Sequence, residues 1–379
     1  MAASSRPRIL LLIPHLGGGG AERVMTLLAQ DLSAEKYELH LGVITQTEAD
    51  GKGVPSWVPL HALGASRVRA GAFGLLRLVR QLKPDLILSG MFHLNFLVLL
   101  LTPFFPPGTR VVVRQNGTVS SALAFGGLPW YTRPLYRLLY RRADRIICQT
   151  RAMAEDISRE LGLEENRLAV LPNPVDAEEI RSSACQQLYQ WSGPDPHLLA
   201  LGRLSREKGF DLLLQAFVRL QIHFPRASLV IAGTGPEEAA LKAECHALGL
   251  DSAVRFAGNL ARPWPCFAAA TLFVLPSRHE GLPNSLLEAA AAGLPIVALP
   301  ASGGMVELLS DQPGVWLAPE ISAEALATAL LAALGSLRPG ERFAHSFVEG
   351  FRIDRAIAAY ERLIDATLTT SARRSESQP

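Results

Sequence analysis

The sequence predicts an α/β protein built from two doubly wound parallel sheets, and three observations lead there. The chain has 379 residues, which at roughly 150 per domain gives about two domains, each long enough to bury a core. Short runs of Val, Ile and Leu alternate with longer helical patterns almost throughout, and continuous apolar strands separated by helices belong to parallel sheets covered on both faces. The rhythm stops at a proline-rich segment near the middle of the chain and then restarts.

Residues 8–13 form the first strand of the first domain. The apolar run Ile9 to Leu16 follows Arg6 and Arg8 as in a secretory leader, but it contains Pro14 and His15 and runs into four glycines where a cleavage site would stand. Further strands are expected at 39–45, 85–89, 110–114, 145–149 and 168–171. Residues 86–109 hold no Asp, Glu, Lys or Arg, a length that meets the roughly 20 residues of a membrane-spanning helix. Ser89-Gly90, His93, Asn95 and Pro103 break that run into strand, loop and short apolar helix. Leu171-Pro-Asn-Pro-Val-Asp176 and the less periodic stretch to Pro196 read as a linker. The second domain continues through strands at 197–202, 228–232, 253–256, 271–275, 295–299 and 314–317. An amphipathic stretch follows at 353–368, and 371–379 reads as a polar, disordered tail. The domains are drawn at 1–176 and 190–350, with 353–368 as a separate C-terminal helix. Doubly wound sheets bind ligands beyond the carboxyl ends of their strands, so the site should draw on both halves.

Hydrophobic residues at 49% and charged residues at 19% exclude a disordered chain and a multi-span membrane protein. The net charge of +2 is unevenly spread. Residues 1–145 hold 17 Lys/Arg against 8 Asp/Glu, a net of +9, and the remainder carries −7. A basic first half faces phosphates or lipid headgroups, or is simply solvated. No basic cluster interleaved with aromatics accompanies it, so no nucleic acid is expected as a partner. Only five of the 37 basic residues are Lys, which makes a Lys in a motif informative. Cys148, Cys185, Cys245 and Cys266 are scattered, unlike a zinc site or a disulfide scaffold, and fit the cytosol.

Residues 17–24, Gly-Gly-Gly-Gly-Ala-Glu-Arg-Val, lie between the first strand and a helical pattern starting near Ala21. Glycine permits close backbone approach, and free amides at a helix start favour an anion. Gly17, Gly18, Gly19 and Gly20 therefore read either as a phosphate cradle or as a tight turn. Gly202-Arg203-Leu-Ser-Arg206-Glu-Lys208-Gly209 ends the second domain's first strand and enters a helix at Phe210. Cations beside a helix start suit a diphosphate, Arg203 with fork geometry and Lys208 as a point charge; a solvated surface is the alternative.

Residues 277–293 are the most informative segment. Pro283, Asn284 and Ser285 signal a helix that closes at Gly293, which leaves Glu280 in the strand-end loop and Glu288 on the helix. Two carboxylates there accept hydrogen bonds from a polyol, Glu280 expected deeper and Glu288 nearer the helix start. A generic helix-start acid is the alternative for either. His93 is expected in the loop after the third strand, where a polar side chain in an apolar run needs a hydrogen-bonding partner or a catalytic task. Arg114-Gln115-Asn116-Gly117 would line the same end of that sheet. Residues 131–142 alternate Tyr, Leu and Arg, a basic amphipathic helix that suits either an anionic membrane or water.

Together these residues resemble the retaining glycosyltransferases of family 4, also called group 1, whose GT-B fold is two doubly wound Rossmann-like domains facing across a cleft. The likeness covers nearly the whole chain. It is strongest at the family's E-x7-E region, from Leu275-Pro-Ser-Arg-His-Glu280 to Glu288-Ala-Ala-Ala-Ala-Gly-Leu-Pro-Ile-Val297. Around it, in the family's order, stand the Gly202 to Gly209 motif, Ala232-Gly-Thr-Gly-Pro236, Val254-Arg-Phe-Ala-Gly258 and Asn173-Pro-Val-Asp176. Gly19-Gly-Ala-Glu-Arg-Val24 is similar to a subset acting in bacterial surface-polysaccharide and lipid-linked oligosaccharide assembly.

The resemblance implies that Arg203 and Lys208 hold a donor diphosphate, Glu280 the donor sugar and Glu288 the ribose. The implied catalytic set is Glu280, Lys208, Arg203 and His93. The implied substrate-binding set is Gly17, Gly18, Gly19, Gly20, Glu22, Asn116, Gly202, Gly281, Leu282, Pro283, Asn284 and Glu288. It also implies retention of anomeric configuration, no metal, and no cofactor beyond a nucleotide diphosphate sugar such as a UDP-sugar as co-substrate. The last helix would cross back onto the first domain. The expected activity is transfer of a hexose or N-acetylhexosamine to a glycan acceptor, lipid-linked in that subset. It would take place in the cytosol or peripherally on the inner face of the plasma membrane. Two rivals stand beside it, a GT-B nucleotide-sugar 2-epimerase and a non-catalytic sugar-nucleotide-binding subunit.

Overall fold

The computed structural model describes residues 6–16, 19–45, 53–120, 133–186, 191, 195–260 and 262–375. They divide into two compact units, Met1–Pro174 with Asp354–Pro379, and Val175–Ile353. The first unit runs β1 (Arg8–Ile13), α1 (Gly20–Asp31), β2 (Glu38–Val43), β3 (Leu60–Ala62), α2 (Ala72–Leu82), β4 (Leu86–Ser89) and α3 (Phe92–Leu101). It continues through β5 (Arg110–Arg114), α4 (Arg133–Tyr140), β6 (Arg145–Cys148), α5 (Arg151–Leu161) and β7 (Leu168–Val170). The second unit runs α6 (Ala177–Gln186), β8 (His197–Leu201), α7 (Phe210–His223), β9 (Ser228–Ala232), α8 (Glu238–Ala247), β10 (Val254–Gly258) and α9 (Trp264–Ala269). Then come β11 (Leu272–Leu275), α10 (Asn284–Ala291), β12 (Ile296–Ala298), α11 (Gly303–Leu309), β13 (Val315–Leu317) and α12 (Ala323–Ser336). The closing helix, α13 (Ile353–Ser375), returns to the first unit.

The seven-stranded sheet has the order β3-β2-β1-β4-β5-β6-β7 and the six-stranded sheet β10-β9-β8-β11-β12-β13, with every pairing parallel. Central strands such as Arg-Ile-Leu-Leu-Leu-Ile at β1 are buried along nearly their whole length, because helices cover both faces of a parallel sheet. In the first unit α2, α3, α4 and α5 pack into one core with Leu10, Leu12, Ile87 and Val113. In the second, α7, α8 and α12 close one face, and α6, α9, α10 and α11 the other.

Three readings of the sequence differ from the structure, and a fourth, the division of the apolar run, agrees with it. The edge strand β3 was not anticipated; it is three residues long and lies at the surface, so it lacks a buried apolar run. The stretch read as a linker forms α6, which starts where Asp176 Oδ1 accepts from the Glu179 amide at 2.8 Å. Ile180 is buried there, and Arg181 Nε donates to the Ala291 carbonyl at 2.9 Å. Residues 371–375, read as a disordered tail, continue α13. The apolar run 86–109 divides into β4, α3 and a short 3-10 turn, and among the described residues no helix is long and apolar enough to cross a membrane.

Candidate active site

In the second unit the strand order reverses between β8 and β11, and the loops after these two strands, 202–209 and 276–283, flank that switch point. Glycine lets them touch. Gly209 has φ +65°, and a Cβ there would run into the Pro276 carbonyl oxygen. Gly233, at φ +142° after β9, brings a third loop against the Gly202 carbonyl in the same way.

Arg278 then fixes the two loops. Its amide donates to the Glu207 carbonyl at 2.8 Å, and Nη1 to the Arg206 carbonyl at 3.0 Å. Its guanidinium donates both to Asp211 Oδ1 and to Asp211 Oδ2, each at 2.6 Å, at the start of α7. Burial disfavours the Asp211 charge, but the Arg278 hydrogen bonds and positive charge outweigh it and hold the carboxyl below its ordinary value. Burial, then the Arg278 charge, lowers the His279 pKa, so the ring is neutral at neutral pH.

Within this frame Lys208 Nζ donates to Glu280 Oε1 at 2.5 Å, and the buried Ser277 Oγ donates to the same oxygen at 2.8 Å. Two donors converging on one oxygen hold the carboxylate in a single orientation. The Glu280 side chain is 8% exposed and that of Lys208 24%. Arg203 and Arg206 are exposed beside them. Glu288 is the fifth residue of α10 and is itself 8% exposed. Taken as whole residues, Glu288 is buried and Glu280 only half-buried, so Glu280 is not the more buried of the two. Gly281, Leu282 and Pro283 are buried, and Pro283 is the extended N-cap of α10.

The first unit has its own switch point between β1 and β4. Gly17 and Gly18 lie outside the described residues. Gly19 is the extended N-cap of α1, and Gly20 is its first residue. The buried Glu22 folds back so that its carboxylate fills the space a Cβ on Gly19 would take, 3.6 Å from His15 Nε2. The positive end of α1 thus already faces a carboxylate from the chain. His93 does not stand in a loop. It is the second residue of α3 and is exposed, because Met91 is extended and the helix begins at once. Asn95, by contrast, is fully buried, and its Nδ2 donates to the Arg114 carbonyl at 3.0 Å.

Arg114, at the end of β5, is 1% exposed. It donates to the Tyr360 hydroxyl at 3.2 Å, to Asn173 Oδ1 at 2.5 Å and to Asn116 Oδ1, all neutral acceptors. Asn116 Nδ2 in turn donates to the Gly90 carbonyl at 2.5 Å, which joins the loops after β5 and β4. Among the described residues no three His, Cys, Asp or Glu side chains converge to hold a metal ion.

The comparisons with known proteins follow this geometry. The family described as "Glycosyltransferase Family 4" matches residues 18–179, and "Glycosyl transferases group 1" matches 187–344. The chain belongs to the group 1 glycosyltransferases. It is 28% identical over 315 residues to a Campylobacter jejuni N-acetylgalactosamine-N,N'-diacetylbacillosaminyl-diphospho-undecaprenol 4-alpha-N-acetylgalactosaminyltransferase, covering 79% of this chain and 83% of that one. It is 29% identical over 290 residues to the lipopolysaccharide core biosynthesis glycosyltransferase LpsE of Rhizobium meliloti, covering 76% and 78%. The crystal structure of Anabaena Alr3699/HepE in complex with UDP and glucose superposes with a TM-score of 0.72 over 98% of this chain and 100% of that one, at 18% identity. The fold is GT-B.

In this glycosyltransferase the second unit brings Lys208 and Glu280 into contact, with Gly202, Arg203, Gly281, Leu282, Pro283, Asn284 and Glu288 on the loops and helix around them. His93, Glu22 and Asn116 belong to the first unit. Three supporting groups escaped the sequence reading. Ser277 precedes Glu280 by three residues in a tight loop, a spacing that hints at a side-chain contact. Asp211 and Arg278 are 67 residues apart and leave no such signal.

Proposed function

We propose that this glycosyltransferase transfers a hexose or N-acetylhexosamine from a nucleotide diphosphate sugar, a UDP-sugar first among the candidates, to a lipid-linked glycan with retention of configuration. The observation that carries the reading is the Ser277–Glu280–Lys208 cluster at the switch point of the second unit. Lys208 and Arg203 neutralise charge growing on the leaving diphosphate, electrostatic stabilisation by groups already in place. Glu280, oriented by Ser277, accepts from the donor sugar hydroxyls, and Glu288 from the ribose. The backbone amides of Gly281 and Leu282, ahead of Pro283, face the sugar. The incoming acceptor hydroxyl gives its proton to a phosphate oxygen of the donor, so no protein nucleophile is needed. The first unit, with Glu22, His93 and Asn116, receives the acceptor.

The acceptor class is supported by the C. jejuni relative, whose name specifies a diphospho-undecaprenol acceptor, and by the +9 charge of residues 1–145. Such an acceptor places the work at the cytosolic face of a membrane.

The test is a panel of nucleotide sugars incubated with a bacterial lipid extract, with products identified by mass. The parent should form one glycolipid, and Lys208→Ala and Glu280→Ala should each lower turnover by about 100-fold or more while still folding. Near-normal turnover in both variants would sink the assignment. Epimerised nucleotide sugar released without acceptor would make the protein an epimerase. Donor binding without turnover on any acceptor would make it a binding subunit.

A further inference from the structure

The two oxygens of the Glu280 carboxylate are unequally engaged. Oε1 accepts from Lys208 Nζ at 2.5 Å and from Ser277 Oγ at 2.8 Å, whereas Oε2 accepts no hydrogen bond from any of the described residues. One oxygen is held by the protein and the other is left for a ligand. A carboxylate oxygen only accepts, so that ligand brings a hydroxyl or an N–H.

The same contact redistributes charge. The loops 202–209 and 276–283 carry four cations, of which Lys208 is paired with Glu280 and Arg278 with Asp211. Arg203 and Arg206 are exposed and form no ion pair among the described residues. Glu280 thus offsets the charge of Lys208, a cation assigned above to the donor diphosphate, and leaves the two arginines unopposed.

A nucleoside diphosphate meets these cations with a charge that depends on what its far end carries. A free terminal phosphate holds a charge of about −1.5 to −2 at neutral pH, and one esterified to a sugar holds about −1. Cations alone would therefore grip the bare diphosphate more tightly than its sugar conjugate. Such a site would favour the leaving product over the incoming donor. A carboxylate on Lys208 acts in the opposite sense. It draws on the ammonium and sets a like charge beside the terminal phosphate, which weakens the bare diphosphate most. Its Oε2 meanwhile accepts from sugar hydroxyls that only the conjugate possesses.

We propose that Glu280 biases the site toward the sugar-carrying nucleotide and against the bare nucleoside diphosphate, so that the product leaves once its sugar has gone. This rests on the donor reading given above and adds to it a discrimination that needs neither acceptor nor turnover to measure.

The full chain is titrated calorimetrically with UDP, GDP and ADP, and with the glucose and N-acetylglucosamine conjugates of each. The readout is the ratio of the two dissociation constants, bare diphosphate against conjugate. Glu280→Gln keeps the shape of the side chain and an acceptor for Lys208 and Ser277. It should bind the bare diphosphate about tenfold tighter than the parent, the scale of one like charge removed. It should bind the conjugate about tenfold weaker, the scale of a lost hydrogen bond to a charged group. Shifts of opposite sign are the mark of discrimination, because a variant that merely loosened the loop would weaken both ligands. Glu280→Ala should repeat both shifts, and Lys208→Ala should weaken both ligands. Melting curves establish that each variant folds.

A parent that binds diphosphate and conjugate, with folded Glu280 variants that hold the bare diphosphate no tighter, would overturn the proposal and leave the donor reading standing. Equal shifts for the two ligands would do the same. A parent that binds no nucleoside diphosphate and no conjugate would overturn the donor reading itself, and this proposal with it.

Discussion

Ser277 donates to the same Glu280 oxygen that Lys208 grips, and it does so from a buried position where the hydroxyl has little else to do. Removing it leaves the carboxylate held from one side only. Ser277→Ala should therefore lower kcat/KM for the donor by about 10- to 100-fold, the scale of one hydrogen bond to a charged group, with little change in melting temperature. Steady-state transfer kinetics decide it, and a folded Ser277→Ala enzyme matching the parent would remove Ser277 from the site. At this scale part of the site was legible. Lys208 stood out in a chain that otherwise uses Arg, and Glu280 stood out as a carboxylate at a strand end. Their direct contact was not legible, because 72 residues separate them and only the sheet order brings their loops together. His93 misled for the opposite reason: in sequence it interrupts an apolar run, whereas on a helix one position in each turn faces water.

The elements were read more securely than the contacts, because a strand buried on both faces must be apolar at every position. Among the described residues, twelve of the thirteen strands lie within two residues of their expected spans, the central ones for this reason, and β3 escaped because it is a short, half-exposed edge. The polar composition of α6 hid a helix in which, among the side chains described, Ile180 is the buried one. What the pattern of elements could not supply is the fastening between them, and Arg278 with Asp211 is the clearest instance, tying the loop after β11 to the start of α7. The Asp211 carboxyl is held below its ordinary value near 3.8. A depressed carboxylate contributes stability that is fully present above the unfolded pKa and is lost as pH falls through the folded one. Asp211→Asn should accordingly be less stable than the parent at neutral pH, and the gap should close as pH drops below about 3.8. Urea unfolding of both proteins across that range checks it; a gap that stays constant with pH would mean the pair contributes by packing alone.

For the whole molecule, two alternations of strand and helix announced two sheets, but no local pattern could say on which sheet the last helix would rest. Its partners are too distant in sequence: Lys36 Nζ donates to Glu361 at 2.5 Å, the Tyr37 hydroxyl donates to Asp365 at 2.6 Å, and Arg114 Nε donates to the Tyr360 hydroxyl at 3.2 Å. The third is the most consequential, because Arg114 is an almost fully buried cation whose acceptors are neutral oxygens from three parts of the chain. Such a charge is tolerated only while its N–H groups are satisfied. Tyr360→Phe keeps the ring, which is also fully buried, and removes only the acceptor. The cost should be about 1–3 kcal/mol, felt as a fall of several degrees in the melting temperature. Asn173→Ala should cost a similar amount by orphaning a second N–H of the same guanidinium. The two losses should not add, because after either change Arg114 can shift and draw in water, so the double variant should lose less than the sum. Thermal melts of the parent, both single variants and the double variant measure this directly. Strict additivity would mean that Tyr360 and Asn173 stabilise the first unit independently, with Arg114 no longer the group through which the last helix is joined to the sheet.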